Sequence, residues 1–471
     1  MIKRLHLFAP LIALYILSGC SVSKQIAKKA DSILLKDSSI STGHIGICIY
    51  EPATNKYWYE YDATHYFIPA SNTKLFTLYA GMKYLGDSLV GLRYEYYDDT
   101  TITIFPTGDP TFLHKDFTTQ PVLNFLFNNN KTFFLYNSNW KENALGFGWA
   151  WDDYTSSDMA ERSAFPISGN IIRINLLSSD YKLNKNNGRG YNNLNWTITP
   201  KYFKSGIPDY FILPLKIAAI IRDSINEKRL LQNFSIKRNW DNNNLSLSYS
   251  SSKFVSDVIP FHTNNDSTAT EILKTDYSIN IQRGARIKHI DFDPDSIFTI
   301  HSQPSDSLFK PMMHRSDNFF AEQTLLMASN EHLGYMNDEK IIDTILNTDL
   351  KDVPQKPKWV DGCGLSRYNL FTPKSFVYIL NKMKNEFGFN RMKVILATGG
   401  EGTLSSYYKK DAGFIYAKTG TLSNNCALSG YLVTNKGKLL IFSILANNYI
   451  TGATPVRRAV ERFLEGLREK Y

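Results

Sequence analysis

The sequence predicts a mixed α/β (α+β) domain that is split by a long β-rich insertion. Three observations lead there. Strand-like alternation occurs near both ends of the chain, strong helical runs lie between, and the stretch from about Arg93 to Gln282 is rich in Asn, poor in strong helices and patterned for strands. A sheet built from both ends of one chain needs a middle that leaves and returns, which is how the change of character between 93 and 282 reads.

The first segment stands outside the fold. Lys3 and Arg4 precede an apolar stretch, Leu5 to Leu17, that is short for a membrane span and stops at Leu17-Ser18-Gly19-Cys20. Residues 1–19 therefore read as a leader. Its end resembles a bacterial lipobox, which implies lipidation of Cys20, export, and a periplasmic protein held by acyl chains on a bacterial membrane, the outer one in this reading. A plain secretory peptide with an incidental Cys is the alternative. Residues 21–43 read as a polar tether followed by a short helix.

His44 to Tyr50 and Lys56 to Tyr61 alternate around the turn-rich Glu51-Pro52-Ala53-Thr54-Asn55, the pattern of a β-hairpin. After Phe67-Ile68-Pro69-Ala70-Ser71 comes a helical run with apolar residues at 75, 76, 78, 79, 82 and 85; it is apolar on nearly all sides and so predicted to be buried. Within the insertion, Thr101 to Phe105 and Asn244 to Tyr249 are strand-like, and Asn184 to Asn195 reads as a loop. Helical patterns return over Ser305 to Met313 and Asn318 to Met327. Gly413 to Lys418, Ala427 to Thr434 and Leu439 to Ala446 then form three consecutive strands, followed by a helix from Pro455 to Glu469.

With 471 residues, 43% hydrophobic and 21% charged, the chain has ordinary globular composition and a length suited to two to four domains. The formal charge of +9 falls to +7 without Lys3 and Arg4, and the basic residues are scattered. Nucleic acid is excluded as a partner, since that needs a basic patch or stripe. Beyond Cys20 the chain holds Cys48, Cys363 and Cys426, an odd number without C-x-x-C spacing, and no H-x-H or H-E-x-x-H occurs. No zinc site or disulfide framework is expected.

Ser-x-x-Lys occurs seven times, so the bare pattern selects nothing. Setting singles out Ser71-Asn72-Thr73-Lys74: Pro69 breaks the chain just before it, and the apolar helix begins at once. Residues i and i+3 share a helix face, so Lys74 Nζ reaches Ser71 Oγ, and the Ser71 N–H in the first turn is free to face an oxyanion. A serine alcohol needs a base. No His stands in a G-x-S-x-G frame, which leaves a lysine, and a lysine acts as a base only if burial or a nearby cation lowers its pKa. The plain alternative is an N-cap serine beside a solvated lysine. Ala417-Lys418-Thr419-Gly420-Thr421 occurs once and offers the second cation; its Lys and hydroxyls suit a substrate carboxylate, and Gly420 lets a substrate backbone approach. Its plain alternative is a hairpin turn. Ser316-Asp317-Asn318 also occurs once and opens a helical run, where it would serve simply as a good N-cap.

These three motifs in this order resemble the signature of β-lactamases and penicillin-binding proteins. The 245 residues from Ser71 to Ser316 exceed the span in a compact β-lactamase. Thr107-Gly108-Asp109-Pro110-Thr111, Gly148-Trp149-Ala150-Trp151-Asp152-Asp153, Pro311-Met312-Met313, Asn318 to Glu322, and Asp361-Gly362-Cys363-Gly364-Leu365-Ser366-Arg367 resemble the S13 peptidases. These are the low-molecular-mass class C penicillin-binding proteins, D-alanyl-D-alanine carboxypeptidases and endopeptidases. The likeness covers most of residues 44 to 450 and fades between about 175 and 265.

The resemblance implies a DD-peptidase/β-lactamase-like transpeptidase domain, an antiparallel sheet flanked by helices, in residues 20–92 and 295–471. It also implies two nested β-rich inserts, 93–172 with 266–294, and 173–265 within them. By the same resemblance Ser71 is acylated, Lys74 is the acylation base, Ser316 passes a proton to the leaving amine, and Asn318 holds Lys74 and a substrate amide. Lys418, Thr419 and Thr421 bind the terminal carboxylate, with Lys418 helping to keep Lys74 neutral, and the Ser71 and Thr421 N–H groups form the oxyanion hole around Gly420. Asp153 and Arg367 line the pocket for the stem-peptide side chain, where an acid–Arg pair suits a diaminopimelate end; a structural ion pair is the alternative. No cofactor or metal is implied. The partners implied are peptidoglycan and, as covalent inhibitors, β-lactams.

This chain departs from the family pattern in three places: Cys363 replaces the usual Ser, Ser156-Ser157-Asp158 makes the pocket more polar, and Tyr407, after Gly402-Thr403-Leu404, stands near a common Arg. The rival readings are a serine β-lactamase, for which no water-activating acid is evident, and a non-catalytic cell-wall-binding lipoprotein of the same fold.

Overall fold

The computed structural model describes residues 22–183, 190–206, 210–212, 234–250, 252–284 and 296–471; the leader and Cys20 lie outside them. The chain divides into two compact units. One comprises the chain up to Gly86 with Ser305–Ala328 and Asp338–Tyr471; the other comprises Asp87–Pro304 with Ser329–Asn337. The division thus falls at Gly86 and Ser305, not at 92/93 and 294/295. The reason is a long-range pairing: Ser88–Tyr96 and Phe298–Pro304 are antiparallel neighbours in one sheet of the second unit, which draws the edges of the insertion outward.

The first unit is built on a six-stranded antiparallel sheet. Its order is Ala397–Thr398, Ile415–Leu422, Asn425–Val433, Leu439–Asn447, His44–Glu51, Lys56–Tyr61. The two ends of the chain meet at its centre, with His44 opposite Asn447. Strands 425–433 and 439–447 are buried on both faces, which their near-continuous apolar runs require. On one face pack the C-terminal helix Ala453–Lys470 and a helix over 22–30. The latter corrects the expected polar tether. Ile26, Ala30 and Leu34, each four residues apart, enter the same core as Val456, Val460, Phe463, Leu464 and Leu467. On the other face the helix Pro373–Phe387 is capped by Thr372, whose Oγ1 accepts from Ser375 N at 3.0 Å.

The second unit contains a five-stranded sheet, a four-stranded sheet and a hairpin of Phe234–Arg238 with Leu245–Tyr249. Their described residues share one hydrophobic cluster, running from Leu92, Ile104 and Phe133 through Ile172 and Trp196 to Phe234 and Ile272. Of the predicted Asn-rich loop, residues 184–189 lie outside the description. From Gly190 the chain is already strand, paired antiparallel with Ile171–Leu183. Ladder hydrogen bonds there override the weak strand preference of Asn. The Thr107–Thr111 segment is a buried turn in which Asp109 accepts from Thr111 N at 2.9 Å and from its hydroxyl at 3.0 Å.

Candidate active site

The nucleophile candidate stands on a tight turn. Ala70–Thr73 is a 3₁₀ segment that runs directly into the helix Lys74–Tyr84, and Ala70 is held at φ 47, a left-handed conformation unfavourable for a residue with a Cβ. Two glycines make room for this turn. A Cβ on Gly364, itself at φ 88, would collide with Ala70 O; a Cβ on Gly420 would collide with Pro69 O and lie 3.1 Å from Ser71 N. The sequence suggested that Gly420 admits a substrate backbone. The first demand on Gly420 is instead the chain's own nucleophile turn.

Lys74 is fully buried in the first turn of the helix, and its Nζ has three partners: Ser71 Oγ at 3.0 Å, Asn318 Oδ1 at 2.6 Å and Cys363 O at 2.7 Å. Two of these are carbonyl oxygens, which can only accept. When charged, Nζ donates to all three; once neutral, its two N–H groups serve the carbonyls and its lone pair is left to face the Ser71 hydroxyl, which can then donate to it. The geometry is therefore that of a base poised on an alcohol. Burial lowers the Lys74 pKa, against the opposing pull of Cys363, Asp361, Glu322 and Asp317. Cys363 adds little to that pull at neutral pH, because burial pushes its thiol well above its ordinary value and keeps it uncharged.

The second lysine, Lys418, is also fully buried and donates to Ser316 Oγ at 2.8 Å and Thr419 O at 2.6 Å. Burial lowers its pKa well below the usual lysine value, and the charges of Lys74 and Arg457 lower it further. The expectation that Lys418 depresses Lys74 is thus refined. Burial comes first for both lysines; the Lys74 charge lowers Lys418, whereas the charges acting on Lys74 are those of its acidic neighbours, which raise it.

Ser316-Asp317-Asn318 combines the two roles weighed for it. Ser316 sits at φ 63, Asp317 Oδ1 caps the helix Asn318–Leu333 by accepting from Phe320 N at 3.0 Å, and the cap aims Asn318 at Lys74. Lys418 to Thr421 lie wholly inside the strand Ile415–Leu422. Its short neighbour pairs only at Tyr416 and Ala417, so from Lys418 onward that edge has no strand partner among the described residues. An extended peptide can add there as a further strand.

The hydroxyls of Thr419 and Thr421 have partners other than Lys418. The Thr419 hydroxyl donates to Thr403 Oγ1 at 2.8 Å, and Thr421 Oγ1 accepts from the Arg457 guanidinium. Arg367 is exposed, its guanidinium reaching Ser423 O at 3.4 Å. Asp153 belongs to the second unit, on the exposed turn Trp151–Asp153. Glu322, Asp361 and Cys363 cluster below Lys74 closely enough to share an ion. Their carboxylates are already engaged: Glu322 accepts from Cys363 N, and Asp361 from Gly364 N and Ser366 N, each at 2.7 Å. The three Cys in the description are buried and unpaired.

A serine on a strained turn, a buried lysine against it and a second Lys–Ser pair across from it define a serine-nucleophile centre with a lysine base. The comparisons assign it further. The chain belongs to the D-Ala-D-Ala carboxypeptidase 3 (S13) family, whose pattern matches residues 26–198 and 229–469. Curated relatives include carboxypeptidase DacB of Mycolicibacterium smegmatis, 30% identical over 169 residues, 32% of this chain and 36% of that protein. D-alanyl-D-alanine carboxypeptidase DacB of Haemophilus influenzae is 29% identical over 168 residues, 32% of this chain and 33% of that protein. These matches span about a third of each relative. The fold is that of the crystal structure of penicillin-binding protein 4 from H. influenzae, with a TM-score of 0.67 at 18% identity over 94% of this chain and 99% of that one.

Proposed function

We propose that this protein is a serine D-alanyl-D-alanine carboxypeptidase/endopeptidase acting on peptidoglycan stem peptides and cross-bridges through an acyl-enzyme, and that β-lactams acylate it. The observation that carries this is the Lys74 Nζ contact with Ser71 Oγ, completed by two carbonyl acceptors. Ser71 Oγ attacks the D-Ala carbonyl as its proton passes to Lys74, and the oxyanion is met by the Ser71 and Thr421 N–H groups. Ser316, held by Lys418, delivers its proton to the leaving amine and takes in exchange the proton that Lys74 received from Ser71, which leaves Lys74 neutral; water then attacks the ester with Lys74 again as base. No metal or cofactor enters the sequence. The S13 relatives named as carboxypeptidases support the reading.

Mass spectrometry of the full chain after incubation with benzylpenicillin tests it. A stoichiometric adduct on the peptide holding Ser71, absent in Ser71→Ala, is the expected result. An unmodified folded protein would refute the reading, and turnover of a cephalosporin at many per second would transfer it to the β-lactamase class. Arg367 is exposed and offers a cation to the carboxylate of a diaminopimelate end; in the same assay series Arg367→Gln should reduce any preference for diaminopimelate over lysine stem peptides, and an unchanged preference would remove that role.

The leader and Cys20 give the anchor. A protein lipidated at Cys20 would incorporate labelled fatty acid and fractionate with membranes, and Cys20→Ser would lose both properties. Label retained by that variant would rule the lipobox out.

A further inference from the structure

Arg457 lies on the C-terminal helix Ala453–Lys470, in which no sequence motif marks a site residue. Its helix neighbours Val456, Ala459 and Val460 are buried in the core behind the sheet, as an amphipathic helix requires. Arg457 departs from that pattern. It is partly buried, and its guanidinium donates to Thr421 Oγ1 on the strand that also carries Lys418. Together with Thr419, Tyr407, Cys426 and Ala427 it lines a small internal cavity beside that strand. No carboxylate among the described residues forms an ion pair with Arg457, although the helix around it is rich in such pairs: Arg458–Glu461 and Arg468–Asp411 are examples.

Burial opposes the Arg457 charge, but Cys426 and Tyr407 beside it outweigh that, with the guanidinium 5.9 Å from the Tyr407 ring centroid, so Arg457 stays a full cation that an anion brought by a ligand can meet. The contact with Thr421 says where that anion would sit. When Thr421 Oγ1 accepts from the guanidinium, its own O–H is turned away from Arg457 and remains available as a donor. The arrangement is a relay in which a fixed positive charge polarises a hydroxyl at the open edge of the strand. Lys418 reaches the same strand segment, but its Nζ is occupied by Ser316 Oγ and Thr419 O. With two of its three N–H groups taken by neutral acceptors, Lys418 has one left for an incoming carboxylate, so the second carboxylate oxygen calls for another donor.

We propose that Arg457, acting through Thr421, recognises the free carboxylate on the leaving side of the scissile amide. This rests on the DD-peptidase reading above and names a specificity-determining group within it. Such a carboxylate is present both on a terminal D-Ala and on the D-centre of a cross-bridge, so the contact serves either cut. Arg457 is a positioning residue: it sets the direction and acidity of the Thr421 hydroxyl and touches no reacting atom.

The test compares full-length wild type, Arg457→Ala and Arg457→Lys on two pentapeptides ending in D-Ala-D-Ala, one a free acid and one its C-terminal methyl ester. Arg457→Ala should lower kcat/KM on the acid by about 10- to 100-fold, the range for losing one charge-assisted hydrogen bond, while the ester changes by less than about threefold. Arg457→Lys should recover a large part of the loss on the acid. An equal fall on both peptides would show a merely structural role for Arg457, and an unchanged rate on the acid would overturn the proposal outright. If Arg457→Ala does not fold, Arg457→Lys decides: its acid-to-ester ratio must fall between those of wild type and a neutral residue such as Arg457→Gln. If wild type cleaves neither peptide and Ser71 takes no penicillin, the DD-peptidase reading itself has failed, and that outcome is distinct from the loss of acid selectivity alone.

Discussion

Lys74→Ala should slow acylation of Ser71 by benzylpenicillin by about 100- to 10,000-fold, the range for removing a positioned general base. The expectation follows from the valence of Lys74 Nζ. Asn318 Oδ1 and Cys363 O take the two hydrogens of the neutral amine, so the lone pair has Ser71 Oγ as its remaining partner. No other basic side chain hydrogen-bonds Ser71 Oγ among the described residues, and Lys418 is committed to Ser316. The pH dependence carries a second, independent signature. Burial disfavours the charged form of Lys74, so its proton leaves at lower pH than from a free lysine. Acylation by wild type should therefore rise with pH along a limb that lies below 10.5, and Lys74→Ala should lack that limb. The same depression means that the unfolded chain binds more protons than the folded one between the two pKa values, so stability should also rise with pH in that window. Acylation by Lys74→Ala within a few-fold of wild type, or an unaltered pH limb, would assign the base elsewhere.

Much of the first unit was legible because its signals are local and periodic. The hairpin from His44 to Tyr61, the three strands after 413 and the C-terminal helix each declare themselves within a dozen residues, and the structure extends them by only a few positions. The i, i+3 spacing alone places Lys74 Nζ against Ser71 Oγ. What escaped notice depends on contacts between distant segments. Arg457 reaches Thr421 across 36 residues, and nothing in an amphipathic helix marks which arginine turns toward a strand. The pairing of Ser88–Tyr96 with Phe298–Pro304 is equally nonlocal, which is why the unit boundary moved. A short helix is expected within residues 21–43, but its start at 22 in place of a tether is hidden because the buried stripe of Ile26, Ala30 and Leu34 is short and begins close to the leader.

The Asp361–Arg367 motif points to Arg367, yet its strongest structural demand lies at Gly364, and Gly364→Ala should be strongly damaging to both the fold and the nucleophile turn. Asp361 folds this loop around itself, accepting from Gly364 N and Ser366 N at 2.7 Å and from Asn369 Nδ2 at 2.8 Å. The loop then presents Cys363 O to Lys74 and lays Gly364 directly under the Ala70 carbonyl. Alanine at 364 would meet two penalties at once. A φ of 88 costs an L-residue about 1–2 kcal/mol, and the collision with Ala70 O forces backbone shifts of the kind that cost about 1–3 kcal/mol in a packed interior. Ala70 already holds an unfavourable φ of 47, so the nucleophile turn has little freedom to yield. The expected outcome is a loss of about 2–5 kcal/mol in denaturant unfolding of the full chain, with penicillin acylation falling further than the folded fraction explains, because Ser71 and Cys363 O move apart with the turn. Gly388→Ala supplies the contrast. Gly388 also has positive φ, 84, but nothing lies within 4 Å of a Cβ there, so it should show the conformational penalty alone and keep acylation at the wild-type rate. If the two variants behave alike, the clamp on the Ser71 turn is not what Gly364 provides.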